Sequence, residues 1–182
     1  MNAFELKILD FIQENLRCSF LDKVLPVITK LGDAGIFWII VAIVLLFFKK
    51  TRKTGIMAGV ALILGLVIGN LTLKPLVARI RPYDMPGVEM ELLIERLSDK
   101  SFPSGHTLAS FEAATVLLIN DKRFGIPAIV LASVIAFSRL YLYVHYPTDV
   151  LAGIVLGVAI AFASCFIVNK IQKIYCEKRL SK

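Results

Sequence analysis

The sequence predicts an all-α membrane protein, a polytopic bundle of about six transmembrane helices of which the first is short or interfacial. Mean hydropathy is +0.75, and 57% of the 182 residues are hydrophobic, more than a soluble domain of this size has interior to hide. Several apolar runs approach the roughly 20 residues that cross a bilayer. The net charge of +7 is gathered mainly at the ends of those runs, where it sets membrane orientation and meets anionic lipid, so nucleic acid is not expected as a partner. Three cysteines (Cys18, Cys165, Cys176) without metal-ligand spacing and two histidines support neither a disulfide framework nor a zinc site.

Residues 1–33 form an amphipathic segment with Phe4, Ile8, Phe11, Ile12, Leu21, Val24, Leu25 and Ile28 at helical spacing. Glu5, Lys7, Asp10 and Glu14 stand among the first of these, and no signal-peptide pattern is present. The segment either lies in the interface or uses its second half as a short, polar first span. Residues 35–48 are a span ending in Lys49, Lys50, Arg52 and Lys53, a loop expected to be cytoplasmic. Residues 54–73 are a second span, in which Gly55, Gly59, Gly65 and Gly69 permit close helix contact.

Polar chain follows to Ser104, with a short helix expected at 89–100. Residues 106–120, 125–142 and 149–168 are further spans. The turn at Asp121, Lys122 and Arg123 and the basic tail fall on the cytoplasmic side with the first loop. Segments 74–105 and 139–149 therefore meet on the opposite, extracytoplasmic face. Tyr83, Tyr141, Tyr143 and Tyr146 lie on that face as interfacial belt or core packing. No repeat or long linker is present, so residues 1–182 read as one domain with a motif-bearing core at 54–168.

Three clusters carry chemistry on that face. Lys74, Arg79 and Arg81 leave a membrane helix on the side usually poor in cations; they either snorkel to headgroups or form an anion site, with Arg79 the one whose alternation points elsewhere. Ser104 and Gly105 open a span, either as a plain helix start or as an anion cradle of N–H groups and a hydroxyl. His106 beside them suits a general acid. In the third cluster, Arg139, His145 and Asp149 are ionisable groups close to membrane depth, where such groups are seldom kept without a function. Pro147 suits a first helical turn, which places His145 just before the helix and Asp149 within it. A carboxylate there can accept the proton of one imidazole nitrogen and leave the other free to attack. Together the clusters point to phosphoryl transfer.

Lys74 followed after six residues by Arg81-Pro82, then Pro103-Ser104-Gly105-His106, then Ser138-Arg139 with five residues before His145 and three more before Asp149, resembles the three-part signature of the type 2 phosphatidic acid phosphatase superfamily, which shares its site with vanadium haloperoxidases. All three parts match in order, and the resemblance covers about residues 54–168. It implies a haloperoxidase-like helical core and a membrane lipid phosphatase that uses no metal or cofactor. In it Lys74, Arg81 and Arg139 hold phosphate, Ser104 and Gly105 complete the cradle, His106 protonates the leaving group, His145 becomes a phosphohistidine and Asp149 orients it. It further implies a cell-membrane location with the site facing outside or the periplasm. Undecaprenyl diphosphate is the expected substrate, with phosphatidylglycerol phosphate, phosphatidic acid and lipid A as alternatives and residues 1–33 as the seat of lipid selectivity. The rival readings are a lipid-phosphate carrier or flippase that binds without cleaving, and halide oxidation on bound vanadate.

Overall fold

The computed structural model describes residues 2–180; its regular structure is helical, without strands among the described residues, and most of 78–104 is irregular. Its eight α-helices are α1 (Asn2–Leu16), α2 (Ser19–Thr29), α3 (Ile36–Phe47), α4 (Arg52–Gly65), α5 (Lys74–Val77), α6 (Gly105–Asn120), α7 (Lys122–Tyr141) and α8 (Pro147–Leu180). A 3-10 turn at Lys30–Gly35 joins α2 to α3, and a π-helical stretch at Leu66–Leu73 joins α4 to α5, which leaves six rods, the number expected. Among the described residues four of these are long and apolar enough to cross a membrane: Ser19–Phe47, Arg52–Asp84, Lys122–Tyr141 and Pro147–Lys178. The second half of the amino-terminal segment is α2, which forms the first membrane-length stretch together with α3, kinked at Asp33 and Ala34. Helix α1 remains apart from it as an amphipathic helix.

Burial runs in the direction lipid dictates. Ile36, Ile40 and Phe47 of α3, Ile63 of α4, Val130 of α7 and Phe162 of α8 face outward, whereas small and polar residues meet inside. With no hydrophobic force between helices in lipid, close backbone approach and interhelical hydrogen bonds do the packing. Helix α6 is the centre, buried along most of its length between α3, α4, α7 and α8. The Trp38 indole of α3 donates to Ser110 Oγ of α6 at 2.9 Å. Helix α8 lies against α6 at Gly157, where a Cβ would stand 2.9 Å from the Leu108 carbonyl. Of the four glycines expected to permit contact, Gly55, Gly65 and Gly69 do so, while Gly59 faces open space.

The boundaries differ from the expected ones at both ends of the motif region. Helix α7 begins at Lys122, capped by Asp121, whose side chain accepts from the Arg123 N–H at 2.9 Å, and α8 runs on to Leu180. No helix forms at 89–100. There Tyr83 Oη donates to the Leu97 carbonyl and accepts from its N–H, both at 3.1 Å, and Arg96 pairs with Asp84 at 2.9 Å. Tertiary partners have overridden local preference. Tyr83, Tyr141, Tyr143 and Tyr146 are all buried, so core packing, not an interfacial belt, is their place.

Candidate active site

The carboxyl end of α7 and the amino end of α8 are joined by a tight reversal. Tyr143 takes a left-handed φ of 60°, and the Val144 N–H returns to the Arg139 carbonyl at 3.2 Å. The turn delivers His145 two residues before Pro147, which opens α8. Asp149 sits in the first turn, where its Oδ2 accepts the Tyr146 N–H at 3.0 Å. His145 is 1% exposed. Its Nδ1 lies 3.5 Å from Asp149 Oδ2 and 3.4 Å from Ser101 Oγ, and Ser101 Oγ itself donates to Asp149 Oδ2 at 2.5 Å. Its Nε2 faces Arg81 Nη1 at 3.3 Å. A guanidinium can only donate, so Nε2 presents a lone pair there and the ring proton belongs on Nδ1. Burial holds the pKa of His145 down to about 3; the hydrogen bond to Asp149 works against that fall, and the charges of Arg81 and Arg139 add to it.

The predicted cations converge beside this ring. Arg81 donates from Nη1 to the Val144 carbonyl at 2.7 Å, from Nε to the Asp99 carbonyl at 2.9 Å and from Nη2 to Asp99 Oδ1 at 2.6 Å. Lys74 Nζ pairs with the other oxygen of the same carboxylate. Residues 79–83 and 97–101 therefore run side by side in opposite directions, fastened at Arg79–Ser101, Arg81–Asp99 and Tyr83–Leu97. The Asp99 side chain is 50% exposed. Partial burial raises its pKa, but the bond and charge of Lys74 and the charge of Arg81 outweigh this and hold it at about 2.

Arg139 differs from both. Its residue is 1% exposed and Nη1 donates to Thr29 Oγ1 at 2.6 Å, yet Nε and Nη2 are buried without a hydrogen-bond partner among the described residues. Such a group is costly unless a ligand completes it.

Ser104 occupies the N-cap position of α6, but its hydroxyl does not cap the helix; it accepts instead from Thr107 Oγ1 at 3.0 Å. The Ser104 N–H donates to the Asp149 carbonyl at 3.1 Å, which locks the start of α6 to that of α8. A Cβ at Gly105 would come 3.0 Å from Asn70 Oδ1 and 3.6 Å from Lys74 Nζ, so glycine keeps the space beside that cation open. His106 Nε2 donates to Asp33 Oδ1 at 2.7 Å, since a carboxylate can only accept.

Lys74, Gly105 and His106 line one cavity of about 410 Å³. Arg139 lines a second of about 670 Å³. Asp33 and Leu97 border both, and Arg81, Ser104, His145 and Asp149 are buried behind them. All eight predicted site residues thus gather at one end of the bundle. Arg79 does not join them. It lies over the Tyr146 ring at 3.8 Å and donates to Asp149 Oδ1 at 2.5 Å, on the far side of that carboxylate from His145.

The arrangement offers an imidazole lone pair, three cations, a helix start and a second imidazole with a hydrogen to give, which is the equipment of in-line phosphoryl transfer. Sequence reasoning missed Ser101, Asp99, Asp33, Thr29 and Glu5. For Asp33 a signal existed: an acid in Gly-Asp-Ala-Gly between two apolar runs, where α2 breaks from α3 and Ala34 and Gly35 take left-handed φ of 49° and 67°. The others carry no local signal, because their partners are distant in sequence.

Comparison with known proteins bears on the same residues. Residues 54–173 match the PAP2 superfamily. An undecaprenyl-diphosphatase of Sulfolobus acidocaldarius is 36% identical over 164 residues, covering 89% of this chain and 77% of that protein. An undecaprenyl-diphosphatase of Bacillus subtilis is 31% identical over 144 residues, covering 79% of this chain and 73% of that protein. The crystal structure of a transmembrane PAP2-type phosphatidylglycerolphosphate phosphatase from Bacillus subtilis superposes with a TM-score of 0.68 at 27% identity, over 93% of this chain and 86% of that one. With its apolar helices and the three motifs gathered at one end of the bundle, the chain belongs to the PAP2 superfamily and is a multi-pass membrane lipid phosphatase.

Proposed function

We propose that the protein hydrolyses undecaprenyl diphosphate at the extracytoplasmic face of the cell membrane, through a phosphohistidine on His145 and without a metal ion. Nε2 of His145 attacks phosphorus, the bond from phosphorus to the leaving oxygen breaks, and His106 gives that oxygen its proton. Water then attacks the phosphohistidine; His106 takes the water's proton, inorganic phosphate leaves, and His145 returns neutral. Arg139, Arg81 and Lys74 carry the charge on the non-bridging oxygens, with Ser104 and Gly105 at the helix start. Asp149 and Ser101 keep the Nδ1 proton in place. The observation that carries this reading is the Nε2 lone pair of His145, aimed at Arg81 while Nδ1 is backed by a carboxylate.

The site lies at the end of the bundle away from the basic loops at 49–53 and 121–123, which supports an outward face. The two undecaprenyl-diphosphatase relatives support the substrate. The test is phosphate release by purified protein in excess chelator from undecaprenyl diphosphate, phosphatidylglycerol phosphate, phosphatidic acid and lipid A, side by side. Release that persists in chelator and has its highest kcat/KM on undecaprenyl diphosphate is expected. Release that requires added Mg²⁺, or headgroup binding with no turnover as a carrier would show, would overturn the reading.

Asp99 holds Lys74 and Arg81 where phosphate oxygens belong, so phosphate has to displace a carboxylate. With a pKa of about 2, the carboxylate is ionised throughout the range above about pH 4, and protonation does not relieve the competition there. Asp99→Asn is expected to lower the Ki for inorganic phosphate about tenfold, the worth of one charge-assisted hydrogen bond. A Ki equal to or above that of wild type would show that Asp99 helps to bind the anion.

A further inference from the structure

Helix α1 lies wholly outside the residues that match the superfamily, yet it reaches the nucleophile's support. Its inner face follows helical spacing: Glu5, Leu9 and Ile12 are buried, and each polar anchor of that side is spent on the reversal between α7 and α8. Gln13 Nε2 donates to the Tyr141 carbonyl at 2.7 Å. Tyr143 Oη donates to Asp10 Oδ1 at 2.7 Å.

Glu5 goes furthest. A 3% exposed carboxylate, it accepts from the Thr148 N–H at 3.0 Å and from Thr148 Oγ1 at 2.6 Å, and its other oxygen pairs with Arg79 Nη2 at 2.5 Å. Arg79 Nη1 in turn donates to Asp149 Oδ1 at 2.5 Å and to Thr148 Oγ1 at 2.7 Å. Asp149 uses its remaining oxygen for Ser101, Tyr146 and His145.

We propose that Glu5 is a positioning residue of the phosphatase reaction, acting through Arg79 to hold the Asp149 carboxylate that orients His145. Without Glu5 the guanidinium behind Asp149 loses one of its anchors, and the carboxylate it holds shifts with it. Glu5 and Thr148 fix the fork from behind, so that Oδ2 stays turned toward the imidazole. Glu5 touches neither substrate nor phosphorus, and removal of its charge acts on kcat and leaves headgroup binding alone.

The inference rests on His145 being the nucleophile, and the experiment separates the two. Glu5→Gln, Glu5→Asp, Asp10→Asn, Arg79→Ala, the double variant Glu5→Gln with Arg79→Ala, and His145→Ala are assayed as purified full-length proteins on the lipid that wild type turns over. Glu5→Gln is expected to lose about tenfold in kcat with KM within about twofold, the cost of one hydrogen bond to a charged group. Glu5→Asp recovers part of that loss, and the double variant falls no lower than Arg79→Ala alone, since both act through one contact. Asp10→Asn, which loosens the docking of α1 without touching Asp149, keeps the wild-type kcat.

Wild-type kcat in Glu5→Gln beside an inactive His145→Ala would overturn the role of Glu5 and leave the nucleophile standing. A loss in Asp10→Asn equal to that in Glu5→Gln would reduce α1 to a mere prop and also overturn it. An active His145→Ala would remove the reaction scheme itself.

Discussion

His145→Ala is expected to lower lipid phosphate release by about a thousandfold or more, since a covalent route has no substitute nucleophile at that position. The sharper readout is the intermediate. Substrate labelled at the transferred phosphate, quenched in alkali during turnover, is expected to leave label on wild-type protein and none on the variant. The pH profile adds an independent check. A protonated imidazole cannot attack; because burial holds His145 at about 3, the ring stays neutral as pH falls through the usual histidine value near 6.5. The acid limb of kcat is therefore expected below about pH 5. An acid limb centred near 6.5, or label retained by His145→Ala, would put the nucleophile elsewhere.

Arg139→Met is expected to cost about 10² to 10³ in kcat/KM, the usual range for removing one aimed donor from a developing charge. Its effect on stability should have the opposite sign. Two nitrogens of this buried guanidinium have no hydrogen-bond partner among the described residues, so an apolar chain of similar length relieves an uncompensated charge. A melt in detergent is expected to place the variant at or above wild type. Arg139→Lys should recover little activity, because a point charge does not replace a planar fork that already spends one arm on Thr29. Lower stability together with unchanged kcat/KM would mean that Arg139 serves the fold rather than the phosphate.

Much of this was legible beforehand, for stated reasons. Hydropathy gave the spans because lipid rewards length and apolarity along one stretch, and the glycines marked where helices close in. The motif residues could be read because each keeps its neighbours at fixed spacing at a helix end, as Pro147 does for Asp149 and Ser104 for His106. What stayed hidden depends on pairs far apart in the chain. Nothing local announces that Asp99 will reach Lys74, that Ser101 will stand between His145 and Asp149, or that Glu5 will reach Thr148, 143 positions away. The expected helix at 89–100 failed for the same reason: its polar groups were claimed by residues 74–84. The place of Arg79 was left open by its alternation, since periodicity carries no information about its destination over Tyr146 and Asp149.

Helix α6 has 16 residues, about 24 Å of rise, against a hydrocarbon layer of about 30 Å. If Asn120 and the charged turn after it mark one boundary of that layer, the other end of the rod stops several ångströms short of the opposite boundary. A phosphate that reaches His106 has then sunk beneath the level of ordinary headgroups. Its tail stays among acyl chains during the descent, so each carbon of a long isoprenoid or fatty chain keeps the environment it had. A small water-soluble phosphate ester would have to make the same descent with no tail to hold it there. Selection for lipids thus begins with the shortness of one central rod, before any side chain has recognised a headgroup.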